Sequence, residues 1–421
     1  MTNTMRWRSG FLMSGALAAI LGLGLGGCKQ PDNASPGDAA SGASNTNSST
    51  KTGGEENIAK AKPYPTNSKE ILIGEFGSLT GTTATFGTST RDGIRLAVEQ
   101  QNKAGGLLGK PIRIQLENNA GKPEEASTVV KKLINQYNVL AVLGEVASSR
   151  SIAGAKVCQP AGVPMISPTS TNPEVTQIGD YIFRTCFIDP FQGTVNARFA
   201  RNNLKAKSAA ILTDVKNAYS VGLTKFFKEE FEKSGGKIVS EESYKELDTD
   251  FRSQLSNIKS AKPDVIFIPG YYTEAGTIAK QARDLGIPAS IPMLGGDGWD
   301  APELADIGGD AVNGAYFSTH ASPESKDGRM KKFVGEFRAQ FKREPNALTA
   351  VAYDAARILF AAIKTANTTD RAKIRDAIAA TKNFPGASGT ITIDKDRNAI
   401  KPLVIVQVQG NKHKYIATVN P

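Results

Sequence analysis

Pro263-Asp-Val-Ile-Phe-Ile-Pro-Gly270 carries four successive apolar residues, Val265–Ile268, closed by a Pro-Gly pair. The run is too short for a helix and apolar at every position, as in a strand buried on both faces of a sheet. Helical periodicity precedes it from about Asp250 to Lys259 and follows it near Thr273–Leu285. A further apolar run, Ile291–Leu294, stops at Gly295-Gly296. Upstream lie a strand at Ala209–Leu212 and a helix with Leu223, Phe226, Phe227 and Phe231 on one face. Gly235-Gly236 closes that helix before the strand Lys237–Ser243. The first half of the chain repeats the series. Strand Ile71–Phe76 leads to a helix with Ile94, Ala97 and Val98 on one face, closed by Gly105-Gly106. Strand Pro111–Leu116, a helix from Pro123 to Tyr137 and strand Val139–Leu143 follow, then helix Ser151–Gln159 and strand Val163–Ile166. This alternation predicts an α/β protein made of two doubly wound parallel-sheet domains of similar topology.

Composition agrees with two cores: 421 residues, 40% of them hydrophobic. Three cysteines exclude a disulfide-dense scaffold. The two histidines, His320 and His413, leave little for a His-based metal site, so no metal and no cofactor are expected. The formal charge of +10 raises the question of nucleic acid. The densest basic stretch, Lys326 to Arg343, has Phe333, Phe337 and Phe341 at four-residue spacing, the buried stripe of an amphipathic helix. Its basic residues are therefore the solvated face. With no zinc-finger spacing and no RNA-binding aromatic signature, no nucleic-acid partner is expected.

The N-terminus is a separate unit. Arg6 and Arg8 precede an apolar stretch from about Phe11 to Leu25, short for a membrane span of about 20 residues. It ends in Leu25-Gly26-Gly27-Cys28, which resembles a bacterial lipobox, so residues 1–27 are expected to be a cleaved signal and Cys28 the lipidated first residue. Gly22-x-Gly24-x-x-Gly27 matches a dinucleotide fingerprint but follows no strand. Residues 28–68, rich in Ser, Asn, Thr, Gly, Pro and Ala, read as a flexible tether spanning roughly 35 Å. The expected location is outside the cytoplasm, anchored to a membrane by lipid.

In doubly wound sheets, ligands bind beyond the carboxyl ends of the strands, near the switch in strand order. That nominates loops 77–87, 144–151 and 167–172 in the first half and 213–219, 270–274 and 295–299 in the second. The first set is rich in hydroxyls: Ser148, Ser149, Ser151, Ser167, Thr169, Ser170 and Thr171. Ser148 or Ser149 can hold a carboxylate at a helix start or simply cap the helix. The second set offers Tyr219, Tyr271, Tyr272, Asp297 and Trp299. Hydroxyl and amide donors, one carboxylate and aromatic walls together suit a zwitterion with an apolar side chain. There is no G-x-S-x-G elbow, no H-E-x-x-H and no paired Cys spacing, so catalysis is not expected. Cys158 and Cys186 could form a disulfide or remain two buried thiols.

From Lys69 to Pro421 the chain resembles the periplasmic substrate-binding proteins of branched-chain amino acid ABC transporters, the Leu/Ile/Val-binding type. The carriers are Gly77-Ser-Leu-Thr-Gly81, Gly105-Gly-Leu-Leu-Gly-Lys-Pro111, Asp250-Phe-Arg-Ser-Gln-Leu255 and Pro263–Gly270. The resemblance implies a type I periplasmic binding fold whose two domains are joined by a three-strand hinge. Domain I would comprise residues 69–188 and 321–400, and domain II residues 189–320 and 401–421. It implies that the Ser148 hydroxyl, backbone groups of Thr169, and the amide and hydroxyl of Thr171 hold a ligand α-carboxylate, and that Asp297 pairs with the α-ammonium. Phe86, Tyr219, Tyr271 and Tyr353 would surround the ligand, and Trp299 would shape its side-chain pocket. Ala147 stands where the family has a cysteine, so the family disulfide near this loop is not expected.

The function implied is capture of a neutral, branched-chain or other aliphatic amino acid by hinge closure, with delivery to the permease subunits of an ABC importer. The protein itself would be a monomer. Urea, short amides or aromatic acids are alternative ligands, and a sensory receptor module is an alternative role. A ligand lacking an ammonium has no need of Asp297, which favours amino acids.

Overall fold

A computed structural model describes residues 58–421. The expected signal, Cys28 and the tether as far as residue 57 lie outside the described residues. Five strands build the first sheet: β1 (Ile71–Gly77), β2 (Ile112–Asn118), β3 (Val142–Leu143), β4 (Met165–Ser167) and β5 (Ile182–Arg184). They are all parallel, in the order β2-β1-β3-β4-β5. The next five are β6 (Ser208–Asp214), β7 (Lys237–Tyr244), β8 (Val265–Ile268), β9 (Met293–Gly295) and β10 (Tyr316–Thr319). They repeat that order as β7-β6-β8-β9-β10, again all parallel. The series repeated in sequence is therefore one topology used twice. A small sheet of β11 (Phe384–Gly386), β12 (Gly389–Ile393) and β13 (Ala399–Ile400) follows. Then β14 (Leu403–Gln409) and β15 (Lys412–Val419) extend the second sheet antiparallel to β10.

The apolar side chains segregate into two cores. The first draws on residues from Ile71 to Phe183 and again from Ala321 to Ala399; the second draws on Phe187 to Phe317 and Leu403 to Val408. The chain thus passes between the lobes three times: after β5, after β10 and before β14. Four residues break the partition: Phe86, Val146, Ala147 and Leu348 belong by sequence to the first lobe but pack with the second core. The two lobes are closed on each other.

In each sheet the order switches beside the first strand, between β1 and β3 and between β6 and β8. The loops after these strands meet where the lobes face each other, which positions the site. At the first switch the chain leaves β3 through Gly144. Its φ is +113°, and a Cβ there would lie 2.1 Å from the Phe76 carbonyl oxygen, so only glycine fits.

The tether reading needs correction at its C-terminal end. Tyr64 is buried; its hydroxyl accepts from the Leu72 amide (2.8 Å) and donates to the Glu70 carbonyl (3.0 Å). Ala61 N–H donates to Ala161 O (3.0 Å), and the Arg371 guanidinium donates to Lys62 O (2.7 Å). One aromatic ring and a row of backbone acceptors are enough to dock residues 61–68 on the first lobe, an effect that composition alone hides. Removing that ring by Tyr64→Ala should cost about 2–3 kcal/mol of unfolding free energy. Urea denaturation with an unchanged midpoint and slope would show that this segment is not part of the folded lobe.

Candidate functional site

The first lobe's loops are held by hydroxyls turned inward. The Ser151, Ser167 and Ser170 side chains converge on the Glu145 carbonyl oxygen at 3.0, 2.7 and 3.1 Å. Ser170 also reaches Ser151 Oγ (2.7 Å), tying loop 167–172 to the helix Ser148–Ala161. From behind, the fully buried Arg184 donates to the carbonyls of Ser170 (2.5 Å) and Asn172 (2.7 Å). Burial pushes the Arg184 pKa down from its usual value. These serines support the site; they do not face it.

What they present are Ser148, Thr169 and Thr171, each buried. Ser148 is the first residue of its helix, whose N-cap is Ala147 with no side-chain cap, so the helix-capping alternative does not hold. Its hydroxyl accepts from the Asn172 amide (3.2 Å), and Ser149 Oγ accepts from the Ala218 amide of the other lobe (2.9 Å). The hydroxyls of Thr169 and Thr171 have no hydrogen-bond partner among the described residues. Buried polar groups are nearly always paired, so the Thr169 hydroxyl marks a place for an acceptor, while the Thr171 hydroxyl is already turned toward Asp189, whose pKa it acts to lower.

The second lobe supplies the opposite charge. Asp297 opens a one-turn helix after β9 and is buried, with Oδ1 accepting from Gln192 Nε2 (2.9 Å) and Oδ2 lying 3.0 Å from His320 Nε2. Burial lowers the His320 pKa, with Asp297 opposing, so the imidazole is neutral at pH 7. Facing a carboxylate, it carries its proton on Nε2 and donates it. Gln192 is fixed in turn by Ser318 Oγ (2.9 Å). Each Asp297 oxygen keeps a further lone pair for a cation.

Sequence reasoning missed a second carboxylate here. Asp189 begins the helix Asp189–Asn202; it is fully buried, and neither oxygen has a partner among the described residues. Burial pushes its pKa well above the usual carboxylate range. The nearby Thr171 hydroxyl opposes this, Asp297 adds to it and Arg184 opposes it. Gln192, His320, Arg184 and Asp189 carry no motif. Asp189 alone left a trace, as an acid at the start of a helix just past the first lobe's last strand.

The aromatic expectations divide. Tyr219 stacks on Tyr271 with ring centres 5.6 Å apart, and Phe86 crosses from the first lobe to meet Tyr271 and Tyr272 edge-on at 5.1 Å. Tyr219 Oη accepts from the Gly298 amide (3.2 Å), so the wall and the Asp297 loop move as one. Trp299 is instead turned into the second core, its indole N–H donating to Ile268 O (3.1 Å). Tyr353 lies apart from this set: it packs on Phe333 and donates to Gln100 (2.6 Å) inside the first lobe. Helical spacing cannot show which side of a helix faces a cleft, and here Tyr353 faces its neighbouring helix. Cys158 and Cys186 are free and buried, not joined. The Cys186 thiol donates to Ser170 O at 3.3 Å, and burial holds its pKa up at about 12.

Comparison with known proteins gives the family. The family model for periplasmic binding proteins matches residues 70–414. The Leu/Ile/Val-binding protein BraC3 of Rhizobium johnstonii is 34% identical over 338 residues, covering 80% of this chain and 90% of that protein. The crystal structure of the leucine-binding protein LivK from Thermotoga maritima superposes with a TM-score of 0.80 at 41% identity, over 83% of this chain and 99% of that one. LivJ of Streptococcus pneumoniae, the substrate-binding protein of a branched-chain amino acid transporter solved with isoleucine, gives 0.79 at 34%, over 84% and 100%. With two parallel-sheet domains closing over a shared cleft, this chain belongs to the periplasmic binding protein family and has its type I fold.

Proposed function

We propose that this protein captures a neutral, aliphatic α-amino acid between its lobes and presents it to the permease of an ABC importer. One observation carries the reading. A partnerless Thr169 hydroxyl, the Thr171 hydroxyl beside Asp189, and the buried carboxylates Asp189 and Asp297 meet in the same closed cleft. Unpaired buried charge is costly, and a cation on the ligand offsets it. An anion on the same ligand satisfies the hydroxyls. A zwitterion does both, while urea and amides leave Asp297 without a counter-charge, and an aromatic acid adds a second negative charge beside it.

The remaining surfaces suit an apolar side chain: Phe86, Tyr219 and Tyr271 pack as one buried aromatic wall with few free polar atoms. The relatives bind leucine, isoleucine and valine by name, in keeping with that wall. Export, cleavage before Cys28 and acylation of that residue belong to the same reading and rest on the N-terminal sequence. A lipidated monomer would then work at the outer face of a membrane, next to its permease.

Asp297→Asn keeps the shape but removes the counter-charge and sets an amide N–H against one of its two donors, Gln192 or His320, so isoleucine affinity should fall by about 2–5 kcal/mol. Isothermal titration showing unchanged affinity would sink the ammonium assignment. Thr171→Val and Ser148→Ala each remove a hydrogen bond to a charged ligand group, a loss of about 1.5–3 kcal/mol of binding. Thr171 caps no helix, so the melting temperature of Thr171→Val without ligand should stay within a degree or so of the parent, whereas Ser148→Ala, which also frees the Asn172 amide, should lower it by a few degrees. A matching drop in Thr171→Val would assign that residue to the scaffold.

A further inference from the structure

The helix that presents Ser148 carries a second polar residue toward the other lobe. Arg150 is 2% exposed, and its guanidinium crosses the cleft to donate to Glu246 Oε1 at 2.5 Å. On its own lobe it donates to Thr83 Oγ1 (2.8 Å) and Ser78 Oγ (3.1 Å) and lies 4.0 Å from Glu145. It also sits 5.9 Å from the centre of the Tyr271 ring. Closure thus buries a full charge whose nearest ionic partner belongs to the opposite lobe.

That partner is not alone. Asp214 Oδ1, at the end of β6, accepts from the Glu246 amide (3.1 Å), and Glu274 Oε1, on the helix Tyr272–Asp284, accepts from the neighbouring Leu247 amide (3.2 Å). Glu145 faces them from the first lobe, Asp248 lies near Asp214, and the Tyr244 and Tyr271 hydroxyls complete the surroundings. One guanidinium lies among four carboxylates, in contact with Glu246 and 4.0 Å from Glu145, with Asp214 and Glu274 near enough to feel its charge. Carboxylates gathered at low dielectric around too little positive charge cannot all stay ionised.

We propose that closure of the cleft is a proton-coupled step: Arg150 seats against Glu246 within the second lobe's carboxylates, and burying that cluster takes up a proton. Glu246 is where the proton goes. Burial pushes its carboxyl up to about 7 in the closed form, with Arg150 opposing and Asp214, Glu274 and Glu145 adding. With the cleft open, Glu246 faces water and returns toward its ordinary value. A carboxyl with a higher pKa closed than open favours closing at low pH, and the advantage is lost as pH rises through about 7.

The inference rests on the capture reading only for its ligand. Its test therefore begins without one. Spin labels are placed on exposed Lys103→Cys and Lys233→Cys in a chain carrying Cys28→Ser, and the distance distribution between lobes is measured at pH 8 and pH 5.5. The closed-to-open ratio should rise on the order of tenfold at the lower pH. Glu246→Gln, a neutral mimic at a quarter-exposed loop position, should show a pH response several-fold smaller than the parent's, the remainder belonging to the other buried cleft carboxyls such as Asp189. A pH-independent parent, or a Glu246→Gln protein that keeps the parent's pH response, would overturn the proposal. As a second measurement, isoleucine is titrated calorimetrically near pH 6.5 in two buffers of different ionisation heat. Net proton uptake in the parent, reduced several-fold in Glu246→Gln, supports the coupling; equal heats after buffer correction refute it. Absence of isoleucine binding would count against the capture reading, while the label distances still decide the coupling.

Discussion

The Glu145 carbonyl oxygen is the knot on which the site depends. Three serine hydroxyls from two segments converge on it, and Arg184 pulls the same loop from behind through its carbonyls. Without that convergence the 167–172 loop would have its own backbone groups to satisfy, and the Thr169 and Thr171 hydroxyls would be spent locally. Because Ser151, Ser167 and Ser170 meet the internal demand, the threonines stay available. Several neighbouring hydroxyls thus divide into supports and donors, although their chemistry is the same.

A parallel doubly wound sheet makes this possible in duplicate. Every strand end in the order β2-β1-β3-β4-β5 delivers a loop to the same side, and the second lobe's identical order does so facing it. Two such surfaces supply complementary groups without any one loop being long. The hydroxyl-rich lobe offers donors; the other offers Asp297, held by Gln192 and His320, and the stacked Tyr219 and Tyr271. Closing excludes water, which strengthens each of these interactions and makes each unpaired group more costly.

Much of this was legible in the sequence, for identifiable reasons. Strands such as Val265–Ile268 read correctly because burial on both faces leaves an uninterrupted apolar run, and the Gly-Gly stops mark the loops. Strand ends and the resemblance nominated Ser148, Thr169, Thr171 and Asp297, and all four are buried just after strands β3, β4 and β9. What failed depends on direction or distance. Tyr353 and Trp299 are aromatic and near the right elements, yet their side chains point into a lobe, a choice made by packing. Tyr64 docks a stretch whose composition is that of a tether. Asp189, His320 and Arg150 come together only through the closure of segments far apart in the chain.

The charge count also changes meaning once burial is known. The excess of basic residues is largely a property of the exterior, where pairs such as Arg95–Glu99 and Lys228–Glu241 are exposed and each contributes little. Inside the cleft the balance is reversed: Asp189, Asp297, Glu145, Asp214, Glu246 and Glu274 lie around Arg150 and Arg184. The two terminal nitrogens of Arg184 donate to backbone carbonyls and to Thr176, not to a carboxylate. An acid-rich closed cleft in a basic protein leaves two sources for the missing positive charge, a cation on the ligand and protons from solvent. Asp189 and Asp297 stand where the first can reach; Glu246, at the margin and partly exposed, is placed for the second. Ligand capture and closure are then two parts of one electrostatic balance.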